Sequence, residues 1–141
     1  QAAFINGAPH HALGRPMKVG KEEMMGLLAA VEQWIARDHQ AEWKAWEERL
    51  QQIADVVENY PTVQTSIRLP GRSNVAPVLS VEWDPQTLGL SGGEVGRQLS
   101  QGAPRIEVFN GACCFSVMPY MMQEGDAEVV ARRLEEIFSG I

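Results

Sequence analysis

The chain has 141 residues, 45% of them hydrophobic and 21% charged, and a formal net charge of −6 at pH 7. That size and composition suit one ordinary globular domain, not a disordered, collagenous or disulfide-built chain. No apolar run approaches the roughly 18 residues that cross a bilayer, and the acidic balance argues against a nucleic acid gripped through its phosphates.

Residues 1–20 are punctuated by Gly7, Pro9, Gly14, Pro16 and Gly20 and read as irregular. They also carry His10, His11, Arg15 and Lys18, a basic cluster in an acidic chain that could hold an anion. Lys21 to about Arg37 reads as a helix, with Met24, Leu27, Leu28, Val31 and Ile35 on one face. Asp38 is placed to cap a second helix running to about Glu58. Its apolar seam is Trp43, Trp46, Leu50, Ile53, Val57 and Tyr60, a pattern that packs on a neighbour more readily than it builds an aromatic ligand platform.

Val63, Thr65, Ile67 and Leu69 alternate with polar residues, as in a half-buried strand. The turn residues 70–74 lead to a second strand with Val75, Leu79, Val81 and Trp83 on one face. Ser91 and Glu94 form a capping-box pattern for a helix to about Gln101. Gly92-Gly93 beside that helix start could bind an anion, but lacks the lysine of a phosphate loop. Arg105–Phe109 and Cys113–Met118 read as strands joined at Asn110-Gly111, a strong hairpin signal. Asp126 is placed to cap a last helix to about Ser139, with Glu128–Arg132 and Arg132–Glu136 as supporting pairs and Gly140 as its stop.

The order ααββαββα predicts an α+β two-layer domain: a four-stranded, mainly antiparallel sheet with helices on one face. Cys113 and Cys114 are adjacent, so they read as reduced, buried structural thiols of a cytoplasmic protein rather than a bridge. No metal-ligand spacing occurs, and no nucleophile or dinucleotide motif.

The stretch Gly14-Arg15-Pro16-Met17-Lys18-Val19-Gly20-Lys21-Glu22-Glu23, with Gly26-Leu27-Leu28-Ala29-Ala30 after it, resembles the segment that follows the cofactor lysine in selenocysteine-synthase-like enzymes. These are the L-seryl-tRNA(Sec) selenium transferase family, fold-type-I pyridoxal-phosphate enzymes that include D-glucosaminate-6-phosphate ammonia-lyase-like members. Leu90-Ser91-Gly92-Gly93-Glu94-Val95, Pro104-Arg105-Ile106 and the run from Gly125-Asp126 to Arg132-Arg133-Leu134 resemble the family's small C-terminal domain. The start at Gln1 fits a piece of something longer.

The resemblance implies residues 1–20 as a strap from the end of a missing cofactor-binding large domain, and 21–141 as the C-terminal small domain. It implies a parent lyase or transferase that binds pyridoxal 5'-phosphate through an upstream lysine. That parent would act on a small anionic amino acid or amino sugar by Cα deprotonation and β-elimination. Arg15 matches the first of two family arginines that hold anionic reactants, and Lys18 replaces the second, keeping the charge but losing the planar fork. His10 or His11 would line the site. The expected partners are the missing large domain and further copies in a homo-oligomer, and the chain alone is expected to be inactive. The competing reading is a stand-alone α+β binding or interaction module without catalysis.

Overall fold

The computed structural model describes residues 18–69, 71 and 75–140. The chain divides into two compact units, Gln1–Asp38 and His39–Ile141. The described part of the first contains helix α1 (Lys21–Ala36). Glu22 and Glu23 lie in its first turn, where the helix dipole favours negative charge. Its apolar face forms as the spacing predicts, yet no residue of α1 is buried. Met24, Leu27, Leu28, Val31 and Ile35 are all exposed. The Arg37 guanidinium lies over the Trp34 ring, 5.4 Å from its centroid.

The second unit holds α2 (His39–Val57), β1 (Gln64–Arg68), β2 (Val78–Glu82), α3 (Pro85–Leu88), α4 (Gly92–Ser100), β3 (Phe109–Asn110), β4 (Cys114–Val117) and α5 (Asp126–Ser139). The strands form one antiparallel sheet in the order β1-β2-β4-β3. This is the α+β architecture anticipated from the sequence. Pleating sends alternate residues to opposite faces. The inward row Leu79, Val81, Phe115 and Val117 joins Leu50, Ile53 and Val57 of α2, Val95 and Leu99 of α4, and Val130, Leu134 and Phe138 of α5 in one buried core.

The predicted α2 seam supplies Trp46, Leu50, Ile53 and Val57 to the interior, while Trp43 is only half-buried. Trp46 packs on Tyr120 at 5.8 Å between ring centroids. Trp83 packs on Phe115 and Phe138, and its indole Nε1 donates to the Leu90 carbonyl at 2.8 Å, so the polar end of this buried ring is satisfied.

Several elements differ from the sequence reading. The expected strand Arg105–Phe109 shrinks to Phe109–Asn110, because the backbone before it turns to α4: Ile106 N donates to the Leu99 carbonyl at 3.1 Å. Asn110-Gly111 does not make a two-residue hairpin. Asn110 pairs with Phe115 and Gly111 N donates to the Cys114 carbonyl at 2.8 Å, which moves the turn on to Ala112 and Cys113. Carbonyls of that turn are taken by neighbours, Ala112 by Gly92 N and Cys113 by Trp83 N. The turn therefore carries its thiols outward. Cys113 is exposed and Cys114 half-buried, not structural core as expected.

At the last helix, Gly125 in the left-handed region is the cap residue and Asp126 is the first helical residue. The expected pairs of Arg132 are replaced by an ion pair between Arg133 and Glu136. The short α3 is additional. Asp84 caps it, Pro85 opens it and Gly89 at φ 67° ends it.

Candidate functional site

Of the residues read as substrate-binding, His10, His11 and Arg15 lie outside the described residues. Lys18 is exposed and precedes α1 by two residues, Val19 and Gly20. At the Gly92-Gly93 start of α4, Gly92 is taken up by its own packing. Gly92 is buried and its N–H donates to the Ala112 carbonyl at 2.9 Å. A Cβ there would fall on the Gly111 and Cys114 carbonyl oxygens, so only glycine fits. The third donor of the helix, Glu94 N, goes to Ser91 Oγ at 3.2 Å. The Glu94 carboxylate does not complete the box. It turns to Arg97 and Gln98 instead.

The concave surfaces of the second unit lie elsewhere. The outward face of the sheet places Ser66, Ser80 and Ser116 in one row across β1, β2 and β4, opposite Phe109 of β3. An open cleft of about 550 Å³ on this face is lined by Arg68, Leu69, Val78, Phe109, Ser116 and Met118. It shares Phe109, Ser116 and Met118 with a second cleft of about 430 Å³, which also meets Arg105, Met122 and Asp126. Arg105 is neutralised by Glu107 at 2.6 Å, and Asp126 Oδ2 accepts from Gln123 N at 2.8 Å. Arg68 reaches over the sheet and donates through Nη2 to Ser116 Oγ at 3.4 Å. Arg68 escaped the sequence reading because it looked like one polar residue of an alternating strand. Its cleft is assembled from four strands and has no local signature.

A third, polar cleft is lined by Thr62, Gln64, Glu82, Trp83, Asp84 and Cys113. Among the described residues, no group of three His, Cys, Asp or Glu side chains is placed to hold a metal ion. The groups with displaced titration are all held in their charged forms. Hydrogen bonds from the Thr87 hydroxyl and Gln86 N lower the Asp84 carboxyl. Arg97, then Gln98, lowers Glu94, and Glu94 in turn raises Arg97. None is pushed toward the neutral form that a general acid needs at pH 7. The clefts on the sheet face offer Arg68 and apolar side chains, an arrangement that can take an anion or an apolar group.

No family model matches the chain. It is 28% identical over 135 residues to D-glucosaminate-6-phosphate ammonia lyase of Salmonella typhimurium (strain 14028s / SGSC 2262), covering 92% of this chain and 35% of that protein. It is 30% identical over 135 residues to the 5'-C-glycyluridine monooxygenase-decarboxylase of a Streptomyces species, covering 92% of this chain and 33% of that protein. A solved structure of D-glucosaminate-6-phosphate ammonia-lyase superposes with a TM-score of 0.62 at 24% identity, over 94% of this chain and 36% of that one. The chain therefore spans about a third of the length of the relatives it matches. Among the described residues, no helix is long and apolar enough to cross a membrane. Over nearly its whole length the chain is thus similar in sequence to these two enzymes, and it shares the fold of the matching part of the solved ammonia-lyase.

Proposed function

We propose that this chain is the C-terminal, small-domain part of a pyridoxal-phosphate-dependent lyase or transferase. The observation that carries the reading is the match over 92% of the chain to two enzymes of about three times its length. Both relatives are named for substrates that join an amino-acid unit to a sugar-like part. That supports an anionic amino acid or amino sugar as the substrate class, with Cα deprotonation and β-elimination as the reaction the resemblance carries.

The described residues do not themselves fit the cofactor. The three lysines, Lys18, Lys21 and Lys44, are all exposed. Lys44 is 3.7 Å from Glu48 on the solvent side of α2. A Schiff-base lysine needs a desolvated setting that lowers its pKa. The cofactor chemistry is accordingly assigned to a part of the longer protein outside this chain, and no step through it is derived. This chain's contribution is to bind: Arg15 and Lys18 would anchor the anionic end of the substrate, with His10 or His11 lining the site. The expected partners are that large domain and further copies of the subunit in a homo-oligomeric, cytoplasmic enzyme.

The test has two arms. The 141-residue chain, treated with pyridoxal phosphate and borohydride, is expected to give no stable adduct on a single lysine; such an adduct overturns the reading. A longer polypeptide containing this chain is expected to release ammonia from an anionic amino sugar acid. There, Arg15→Gln and Lys18→Gln should each raise KM by about tenfold or more, the worth of a charge-assisted hydrogen bond. Unchanged KM in both variants removes the two residues from the site.

A further inference from the structure

Arg68 ends β1, paired with Val78, on the outward face of the sheet. The chain holds 18 acidic and 12 basic residues, so carboxylates outnumber cations; Arg49 and Arg132 also lack an ion pair among the described residues, but neither lines the sheet-face cleft. Arg97, Arg105 and Arg133 are each paired with a glutamate. Arg68 forms no ion pair among the described residues. Its contact there is the long hydrogen bond from Nη2 to Ser116 Oγ. Glu82 shares the face but sits opposite Gln64, at the far end of the β1–β2 pairing. A guanidinium carries five donors in a planar fork. One weak bond to a hydroxyl aims that fork across the sheet and leaves most of it unused.

The surroundings strengthen what the fork can do. Leu69 (78% exposed) and Phe109 (67%) stand as apolar walls of the same cleft, with Val78 and Met118 between them. These exposed apolar side chains leave area beside the guanidinium that the hydrophobic part of a ligand can cover. The volume of about 550 Å³ is in the range of small-molecule sites. The backbone beneath Arg68 is a paired strand, so the charge is presented by a fixed element.

We propose that Arg68 is an oxyanion-binding residue, taking the carboxylate or phosphate of a small ligand whose apolar part rests on Val78, Met118 and Phe109. The site lies wholly within the second unit and does not depend on the cofactor reading.

The experiment titrates the whole 141-residue chain with phenyl phosphate, benzoate and inorganic phosphate, following amide shifts and affinity by NMR. Saturable binding of phenyl phosphate or benzoate is expected, with shifts centred on Arg68, Val78, Phe109, Ser116 and Met118; the stronger of the two names the oxyanion. Arg68→Gln should weaken it at least about tenfold, while Arg105→Gln leaves it unchanged. Phe109→Ala should weaken the aromatic ligands and spare inorganic phosphate. Absence of saturable binding, full binding by a folded Arg68→Gln chain, or shifts centred elsewhere overturns the proposal. So does protection of this face from hydrogen exchange in a longer, ligand-free polypeptide, which would assign it to a protein contact.

Discussion

Gly92 shows how a single residue can set both the fold and the fate of a sequence motif. Read in sequence, it belongs to a glycine pair at a helix start. In space its hydrogen is the only substituent that fits against the Gly111 and Cys114 carbonyls. Gly92→Ala should cost about 1–3 kcal/mol through overpacking, seen as a lower urea midpoint with an unchanged slope. Gly93→Ala, with only Ser91 Oγ near its Cβ position, should cost far less. Thr62 is a second special position. It is a β-branched residue at φ 64°, and its Oγ1 accepts from Asp84 N at 3.2 Å. The left-handed region costs a non-glycine residue about 1–2 kcal/mol. Thr62→Ala keeps that cost and loses the hydrogen bond, so it should destabilise by about 1 kcal/mol. Thr62→Gly loses the bond but relieves the backbone, so thermal unfolding should find it close to the parent chain. Asp84 adds a pH signature. Its pKa is lower folded than unfolded, so its stabilisation is present above the unfolded value and disappears as pH falls through the folded one. Urea unfolding of Asp84→Ala should therefore differ from the parent at pH 7, and the gap should narrow below the ordinary carboxylate range.

Among elements, periodicity was legible and long-range pairing was not. The α2 seam could be read because every buried position recurs at helical spacing within one helix. The α5 stripe Val130, Leu134, Ile137 and Phe138 followed the same rule and is buried. Leu134 is fully enclosed, so Leu134→Ala should cost about 2–5 kcal/mol, measured by urea or thermal unfolding. The short α3 has a local signature in Asp84, Pro85 and Gly89, the cap, first-turn and stop residues that a helix uses. The β3–β4 turn could not have been read locally. Asn110-Gly111 favours a tight hairpin by its own chemistry, but donors from Gly92 and Trp83 hold the Ala112 and Cys113 carbonyls, and the turn falls there instead. For the same reason the thiols were misplaced, since their exposure depends on where that loop is held. β1 was half legible. Its alternation is real, yet it is an edge strand, and Ile67 stays partly exposed.

At the scale of the whole molecule, the two units have different characters. Every residue of the core cluster comes from the second unit, which carries its own interior. A 39–141 chain should therefore unfold in a single cooperative transition by circular dichroism. A non-cooperative melt would mean that the second unit is not self-sufficient. The first unit is instead all surface in its described part. The substrate-binding reading rests on Arg15, Lys18, His10 and His11, a local basic cluster to which motif resemblance gave its roles, and Lys18 alone of these is described.

The strand order β1-β2-β4-β3 also governs how fast the second unit can assemble. Its two hairpins are each local, but the seam that unites them pairs Leu79 with Val117 and Val81 with Phe115, partners far apart along the chain. Closing so long a loop loses entropy before the contact returns any stabilisation, so folding speed is set there rather than in the helices. Trimming Val81 or Phe115 should slow refolding in stopped-flow traces, whereas trimming Ile67 on the edge should chiefly hasten unfolding. The sheet's central pair is thus a kinetic gate as well as a structural one: until it closes, the outward row that carries Arg68, Ser116 and Phe109 does not exist as a surface.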